Sequence, residues 1–481
     1  MENEQEPLID VVLNSITDTV FYSVTIGDVA IPLIVVWLVI AAIFFTFYLK
    51  FLNIRGFKHA IDLVRGRYSK PEDAGEVSHF QALATAVSGT VGLGNIAGVA
   101  VAISLGGPGA TFWMILAGFF GMSAKLAECT LGVKYRHERS DGSVSGGPMY
   151  YLRDGIAKLG KPGIGKVLAA LFAFFCILGS LGGGNMFQSN QAASQILNVF
   201  DVAPEDRGTP ALIIGILFAL MVGAVIIGGI KSIAKVTEKV VPFMAAVYVT
   251  ACLVVLIFNV SAVPAAFVEI IVGAFNPEGI AGGFIGVLIV GFQRAAFSNE
   301  AGVGSASIAH SAVKTDQPAT EGHVALLEPF IDTILICTMT ALTIVITGVW
   351  DDPLAASGDG VQLTSAAFAS VIPWFPTVLA LAVVLFAIST MLSWSYYGMK
   401  ATGYLFGDSR MAENIYKVIF CIFTVIGSVT AMDSVLGFSD AAIFLMSIPN
   451  LIGLYMLARV IKKEVTQYRE KIASGEIARV K

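Results

Sequence analysis

Two stretches of this chain place glycines and small polar side chains inside otherwise apolar sequence, a combination able to bind ions and zwitterions. The first runs Ser88-Gly89-Thr90-Val91-Gly92-Leu93-Gly94-Asn95, and the second Gln293-Arg294-Ala295-Ala296-Phe297-Ser298-Asn299-Glu300-Ala301-Gly302. Glycine in a helix interior costs about 1 kcal/mol relative to alanine, so the three glycines between 89 and 94 make local unwinding cheap. Unwound backbone at membrane depth is tolerated only where it lines a cavity. Its N–H groups and half-helix N-terminus suit a carboxylate, and its freed carbonyls suit a desolvated Na⁺. Close helix packing through Gly94 and Gly98, four apart, is a second explanation for the glycines. The neighbouring Thr90, Asn95, Ser298 and Asn299 favour a site. A nucleotide-binding loop is excluded, because Gly92, Gly94 and Gly98 follow a GxGxxxG spacing inside an apolar span with no strand before it.

The elements that hold these residues follow from composition. Of 481 residues, 56% are hydrophobic and 14% charged, with mean hydropathy +0.78. Soluble domains have about 45–50% apolar and about 25% charged residues, so a water-soluble enzyme and a disordered chain are both excluded. Apolar runs predict an all-α polytopic membrane protein with eleven spans near 29–50, 81–105, 109–133, 167–197, 209–229, 240–259, 281–309, 323–349, 373–399, 412–431 and 438–458. The segments Pro264 to Phe275 and Gln362 to Ile372 are too short to cross and read as surface or re-entrant helices. The first apolar run is too long for a cleavable signal, so none is expected. Cys129, Cys176, Cys252, Cys337 and Cys421 are unclustered and read as buried small hydrophobes. The five histidines fall in or beside polar connections without metal-ligand spacing, so no metal centre is expected.

With the N-terminus outside, 27 of the 30 Lys and Arg fall in connections on the inner side and only Arg207 on the outer side; Lys125 and Arg294 lie within spans. A missed or extra span would invert every later connection, so this asymmetry supports eleven spans, N-out and C-in. Asn95-Ile-Ala-Gly98-Val99 recurs as Asn299-Glu-Ala-Gly302-Val303, 204 residues later. Setting the first span aside leaves ten, and the two matches open each group of five. An odd number of spans per repeat forces opposite orientations, the inverted repeat of a transporter. The expected units are residues 1–80 (extracellular N-terminus, extra helix and basic loop), 81–260 and 261–462 (the repeats), and 463–481 (cytoplasmic tail).

The run Ser88 to Gly98, with Gly106-Gly-Pro-Gly109, Glu128, Ser145-Gly-Gly-Pro-Met-Tyr150 and Phe297 to Ser305, resembles the alanine or glycine:cation symporter family over about residues 30–460. The resemblance implies Na⁺- or H⁺-driven uptake of alanine, glycine or similar amino acids, and the five-plus-five leucine-transporter-like fold with one extra N-terminal helix. It implies substrate positions at Thr90, Gly92, Gly94, Asn95, Phe297, Ser298 and Asn299, with Asn185, Gln188 and Trp394 across the pocket. It also implies a Na⁺ site pairing backbone near Val91 with Ser389, Thr390 and Ser393, built from neutral oxygens. The implied partners are the amino acid, Na⁺ and the bilayer of the inner cell membrane. A monomer is expected to suffice, with no cofactor and no nucleic acid.

Several of these residues have a second reading. Trp394 also reads as an interfacial anchor, and Asn185, Gln188, Asn190 and Gln191 as interhelical glue. Lys125 and Glu128, three apart, read as an internal ion pair. Arg294 and Glu300 flank the second break, where either could gate access, and Glu328 and Asp332 read as proton sites or structural acids. Among function classes, a membrane enzyme lacks a nucleophile or metal cluster, and an ATP-driven pump lacks a nucleotide loop. A channel would favour fewer spans per subunit. A secondary transporter remains. A membrane-impermeant thiol reagent should label a cysteine placed at position 15 from outside intact cells; labelling only after permeabilisation would reverse the topology.

Overall fold

The computed structural model describes residues 17–26, 29–69, 72–138, 143–276, 283–352, 359–407 and 409–480. The N-terminal segment expected outside the membrane, residues 1–16, lies outside the described residues, as do 277–282 and 353–358. The chain enters through a two-stranded antiparallel hairpin, β1 (Ser23–Ile26) and β2 (Val29–Pro32), an addition to the all-helical expectation. Pro32 has extended backbone and no amide hydrogen, so the first apolar run becomes helical only from Leu33. Helix α1 (Leu33–Tyr48) leads to the short amphipathic α2 (Phe57–Val64).

A reciprocal cap starts α3 (His79–Thr90): Gln81 N–H donates to Ser78 Oγ (3.2 Å) and Ser78 N–H donates to Gln81 Oε1 (3.1 Å). It continues at a 58° bend into α4 (Leu93–Gly106). Then follow α5 (Ala110–Lys134), α6 (Pro162–Val199), α7 (Gly208–Ile226), α8 (Gly229–Phe258) and the short α9 (Val263–Ala274). The second half holds α10 (Gly283–Asn299), α11 (Ala306–His310), α12 (Pro318–Thr347), the short α13 (Gly360–Ala369), α14 (Phe375–Leu405), α15 (Arg410–Val429), α16 (Met432–Met456) and α17 (Ala458–Ala473). Among the described residues, eight helices are long and apolar enough to cross a membrane, and the bent α3–α4 pair makes a ninth. With 16 and 17 residues, α1 and α10 fall short of that length. The two segments read as non-crossing are the short helices α9 and α13.

The centre and edge of the bundle differ as burial requires. Helix α14 carries Phe386, Trp394, Tyr396 and Tyr397 fully buried against α3 and α6. At the edge, α7 and α15 pack on each other and turn Leu217, Leu220, Val418 and Ile422 outward, which suits a hydrocarbon solvent. Close approach of α6 to α14 depends on Gly184, where an added Cβ would lie 2.2 Å from Trp394 Cγ. Within the long helices, wide, π-helical stretches occupy Gly182–Met186 in α6 and Phe330–Cys337 in α12. Both lie beside the breaks, where such interruptions commonly serve function.

Candidate functional site

The first break occupies Val91 and Gly92. Val91 N–H still donates to Val87 O (2.6 Å), but its ψ of 83° turns the carbonyl out of the helical ladder. Gly92 N–H donates to Asn95 Oδ1 (2.9 Å) and Leu93 N–H to Gln188 Oε1 (3.0 Å). Beyond the break, the Asn95 carbonyl accepts from Thr340 Oγ1 (2.8 Å) and the Ile96 carbonyl from Thr364 Oγ1 (3.0 Å), on α12 and α13. An added Cβ on Gly92 would lie 2.4 Å from Thr390 Oγ1, whereas on Gly94 it would find ordinary contacts from 3.4 Å and on Gly98 open space. Gly94 and Gly98 are therefore not required for close helix packing, and the tight contact is at Gly92.

The second break begins at Glu300, after an unbroken α10 that contains Arg294, Phe297 and Ser298. Glu300, Gly302 and Gly304 have φ of 55°, 91° and 97°. The two asparagines of the internal repeat do the same work at their own breaks. Asn299 Oδ1 accepts from Ala301 N–H (3.0 Å), and its Nδ2 donates to Thr333 Oγ1 (2.9 Å). Asn95 Nδ2 donates to Asp332 Oδ1 (2.6 Å), one residue away on the wide stretch of α12. Asp332 is fully buried and also accepts from Ser298 Oγ (2.9 Å) and Thr333 Oγ1 (2.6 Å). Among the described residues no lysine or arginine pairs with it. A buried carboxylate held by neutral donors and touching both breaks is suited to a cation.

Opposite the first break, α14 is stitched to α3. Thr390 Oγ1 donates to Ser88 O (2.9 Å), Ser393 Oγ to Thr85 O (2.7 Å) and Trp394 Nε1 to Gly89 O (3.2 Å) and Glu300 Oε1 (3.1 Å). Ser88 Oγ donates in turn to Ser389 O (2.6 Å). Thr390 thus presents its hydroxyl to a carbonyl in the last turn of α3 and Ser393 to one a turn earlier, while Ser389 accepts from the Ser88 hydroxyl through its carbonyl; its own hydroxyl donates to Phe386 O (3.0 Å). Of the amides on α6, Gln188 reaches the break. Asn185 Nδ2 donates to Phe420 O (2.7 Å) and Asn190 Nδ2 to Gly427 O (3.0 Å), both on α15, the interhelical glue already considered. On the side of α10 away from Glu300, Arg294 forms a buried ion pair with Asp440 and lies 5.6 Å above the Phe297 ring, which packs edge-on against Phe187.

A charged chain runs beneath the breaks that sequence reasoning missed. Lys125 pairs with Glu328 (3.3 Å), not with Glu128. Glu328 Oε1 meets His310 Nε2 (2.6 Å), His310 Nδ1 meets Glu321 Oε2 (2.5 Å), and Glu321 Oε1 meets His79 Nδ1. His79 opens α3, and all five side chains are buried, so two histidines assigned to polar connections are internal. Glu128 instead accepts from Asn450 Nδ2 (2.9 Å), which also donates to Gly302 O (2.9 Å) at the second break. Cys129, His310 and Glu328 offer ligand atoms within 4.8 Å of one another. Both His310 nitrogens are already engaged by carboxylates, so charge pairing accounts for the group.

Comparison with known proteins decides what this arrangement belongs to. The model of the sodium:alanine symporter family matches residues 14–481. The chain belongs to that family. It is 41% identical to the sodium/alanine symporter AgcS of Methanococcus maripaludis, over 91% of this chain and 94% of that protein. It is 32% identical to the probable sodium/glutamine symporter GlnT of Bacillus subtilis, over 92% of this chain and 89% of that one. Its fold is similar to that of MhsT in complex with L-phenylalanine, with a TM-score of 0.55 and 18% identity over 82% of this chain and 99% of that chain. It is a multi-pass membrane transporter of the family, and its relatives are symporters rather than enzymes.

Two outcomes follow from the geometry. Gly92→Ala should abolish amino-acid uptake by pushing Thr390 from the break, while Gly94→Ala should fold and retain uptake; equal uptake in both would show that the break tolerates a Cβ. Lys125→Met should lower stability by about 3–5 kcal/mol by leaving Glu328 buried and short of its cation. Thermal unfolding should recover in Lys125→Met/Glu328→Gln, whose amide oxygen can still accept from His310, and a double variant as unstable as the single would refute the pairing.

Proposed function

We propose that the protein imports alanine, glycine and similar small neutral amino acids by alternating access, driven by Na⁺. One observation carries this reading. The broken backbone at Val91–Gly92 has neutral oxygens of Ser88, Thr390 and Ser393 on one side and N–H donors on the other. Those donors are held by two exchangeable side-chain amide oxygens, with the Thr90 carbonyl sharing the Gly92 N–H (2.9 Å). In the proposed bound state, Na⁺ takes the hydroxyls of Thr390 and Ser393 with carbonyls near Val91, and the substrate carboxylate takes the N–H groups of Gly92 and Leu93. Its ammonium faces Asp332, between Asn95 and Ser298, and Asn299 holds the second break in shape. Phe297, Gly94, Thr90 and Trp394 bound the space. The Arg294–Asp440 pair over Phe297 serves as the outer gate. The likeness to AgcS, a sodium/alanine symporter, supports the same assignment.

The proposed topology has eleven spans, obtained by adding α1 and α10 to the nine, in the inner cell membrane with N-terminus outside and C-terminus inside. Residues 81–260 and 261–462 form the inverted repeats, and the paired roles of Asn95 and Asn299 support that division. A monomer contains the whole site. A proton-coupled carrier is the second reading, favoured by Asp332 having no lysine or arginine partner among the described residues. The two separate by experiment. In proteoliposomes, Thr390→Ala should raise the Na⁺ concentration for half-maximal alanine uptake roughly tenfold, as expected for one lost oxygen ligand. Wild-type Na⁺ affinity should stay flat between pH 6 and 8, because the ligands do not titrate there. Uptake that runs without Na⁺ and follows an imposed pH gradient, with that coupling lost in Asp332→Asn, would establish the proton reading.

A further inference from the structure

Where α1 ends, the chain makes a tight reversal through Lys50 and Phe51, whose φ angles of 57° and 55° are left-handed, a conformation that costs non-glycine residues energy. Lys50 N–H donates to Phe47 O (3.0 Å) and Phe51 N–H to Thr46 O (2.8 Å), which hold the reversal. It brings Lys50 and Arg55 alongside Lys462 and Arg469 of α17, around a groove of about 360 Å³. Tyr48 also lines it, with the Lys462 ammonium 4.5 Å from the centre of its ring.

Four cations face this groove, and none has a carboxylate oxygen within 4.0 Å among the described residues; Glu470 also lines the groove but pairs with none of them. The Arg55 guanidinium donates to the Lys50 carbonyl (3.4 Å). Partial burial, and then the facing charge of Arg55, lower the Arg469 pKa from its ordinary value. Like charges gathered without a counter-charge call for an anion. The neighbourhood says which kind. Phe47, at the end of the apolar helix α1, and Ile54, just past the reversal, are 60% and 59% exposed. That pairing of an unneutralised basic groove with outward apolar side chains matches a headgroup phosphate above acyl chains.

We propose that this groove is a binding site for the phosphate of an anionic phospholipid headgroup, with Lys50, Arg55, Lys462 and Arg469 as its donors and Phe47 and Ile54 against the acyl chains. The site lies outside the transport machinery and applies to whichever leaflet α1 ends in. It differs from diffuse attraction of basic loops to a charged surface, because it names four side chains and a defined groove.

The test uses the full-length protein in neutral detergent, titrated with dioctanoyl phosphatidylglycerol while its unfolding temperature is followed. A saturable rise is expected with this lipid and none with dioctanoyl phosphatidylcholine or inorganic phosphate at the same concentrations. Lys462→Gln/Arg469→Gln should weaken the lipid's half-saturation on the order of 30-fold, from the attraction of each basic residue for an anionic headgroup. Arg55→Gln alone should weaken it less, and Lys463→Gln, outside the groove, should leave it unchanged. An equal rise with phosphatidylcholine overturns the proposal, as does an equal rise with inorganic phosphate, which would make the groove a general anion site. Equal weakening in Lys463→Gln would reduce the effect to diffuse charge.

Discussion

A helix broken inside a bilayer must satisfy every backbone group it frees, and the interior of this protein is organised around that obligation. At both breaks an asparagine side chain does the first part, folding its carbonyl oxygen back onto a freed amide, Gly92 for Asn95 and Ala301 for Asn299. The amide nitrogens then reach the adjacent residues Asp332 and Thr333, so α12 is tied to both breaks at one level. Thr340, Thr364, Gln188 and Asn450 take further freed groups, one each from α12, α13, α6 and α16. The surrounding helices therefore hold the site by hydrogen bonds the breaks themselves demand. Short α13, too short to cross, adds the Thr364 hydroxyl as a second donor to the Ile96 carbonyl, which also accepts from Ala100 N–H (3.4 Å).

The buried charges obey a related rule. Moving one ion into a low-dielectric interior is costly, and partners with good geometry offset that cost. Lys125, Glu328, His310, Glu321 and His79 form an unbroken alternation in which each carboxylate meets two bases. The chain ties α5, α12, α11 and the first residue of α3 together on the side of the breaks opposite the Arg294–Asp440 pair. Outside the membrane-spanning helices, charge is cheaper. Asp154 takes both Arg153 and His137 at a half-exposed site, and despite its partial burial those two partners hold its carboxyl below the usual range.

Much of this was legible in the chain. The Asn-x-Ala-Gly-Val repeat pointed to two breaks, and both exist, because glycine and asparagine chemistry is local. The position of the second was misjudged by a few residues: α10 runs intact through Ser298 because Ala295, Ala296 and Phe297 sustain a helix, and the chain turns only where Glu300, Gly302 and Gly304 take positive φ. Asn185 and Gln188 sit three apart and would share one face of a regular helix. The wide turn Gly182–Met186 shifts that register, so Asn185 faces α15 and Gln188 alone reaches the break. The Lys125 to His79 chain was invisible for a different reason. Its members come from four helices, and His79 and Glu321 are 242 positions apart, so no local spacing announces them.

The junction also bears on why a zwitterion, and not a simple anion or amine, would suit the proposed site. A carboxylate arriving at Gly92 and Leu93 exchanges two neutral amide oxygens for two charged ones, and charge-assisted bonds are roughly twice as strong as neutral ones. The exchange turns the Asn95 amide away from Gly92. Its nitrogen is the one bound to Asp332, so the same rotation releases a donor from that buried carboxylate. A ligand carrying only a carboxylate would leave Asp332 short of a partner, and one carrying only an ammonium would meet Asp332 still held by Asn95. In the proposed bound state the two ends of an amino acid would thus assist one another through a single side chain, and Asn95 would be the point at which recognition of both charges is joined.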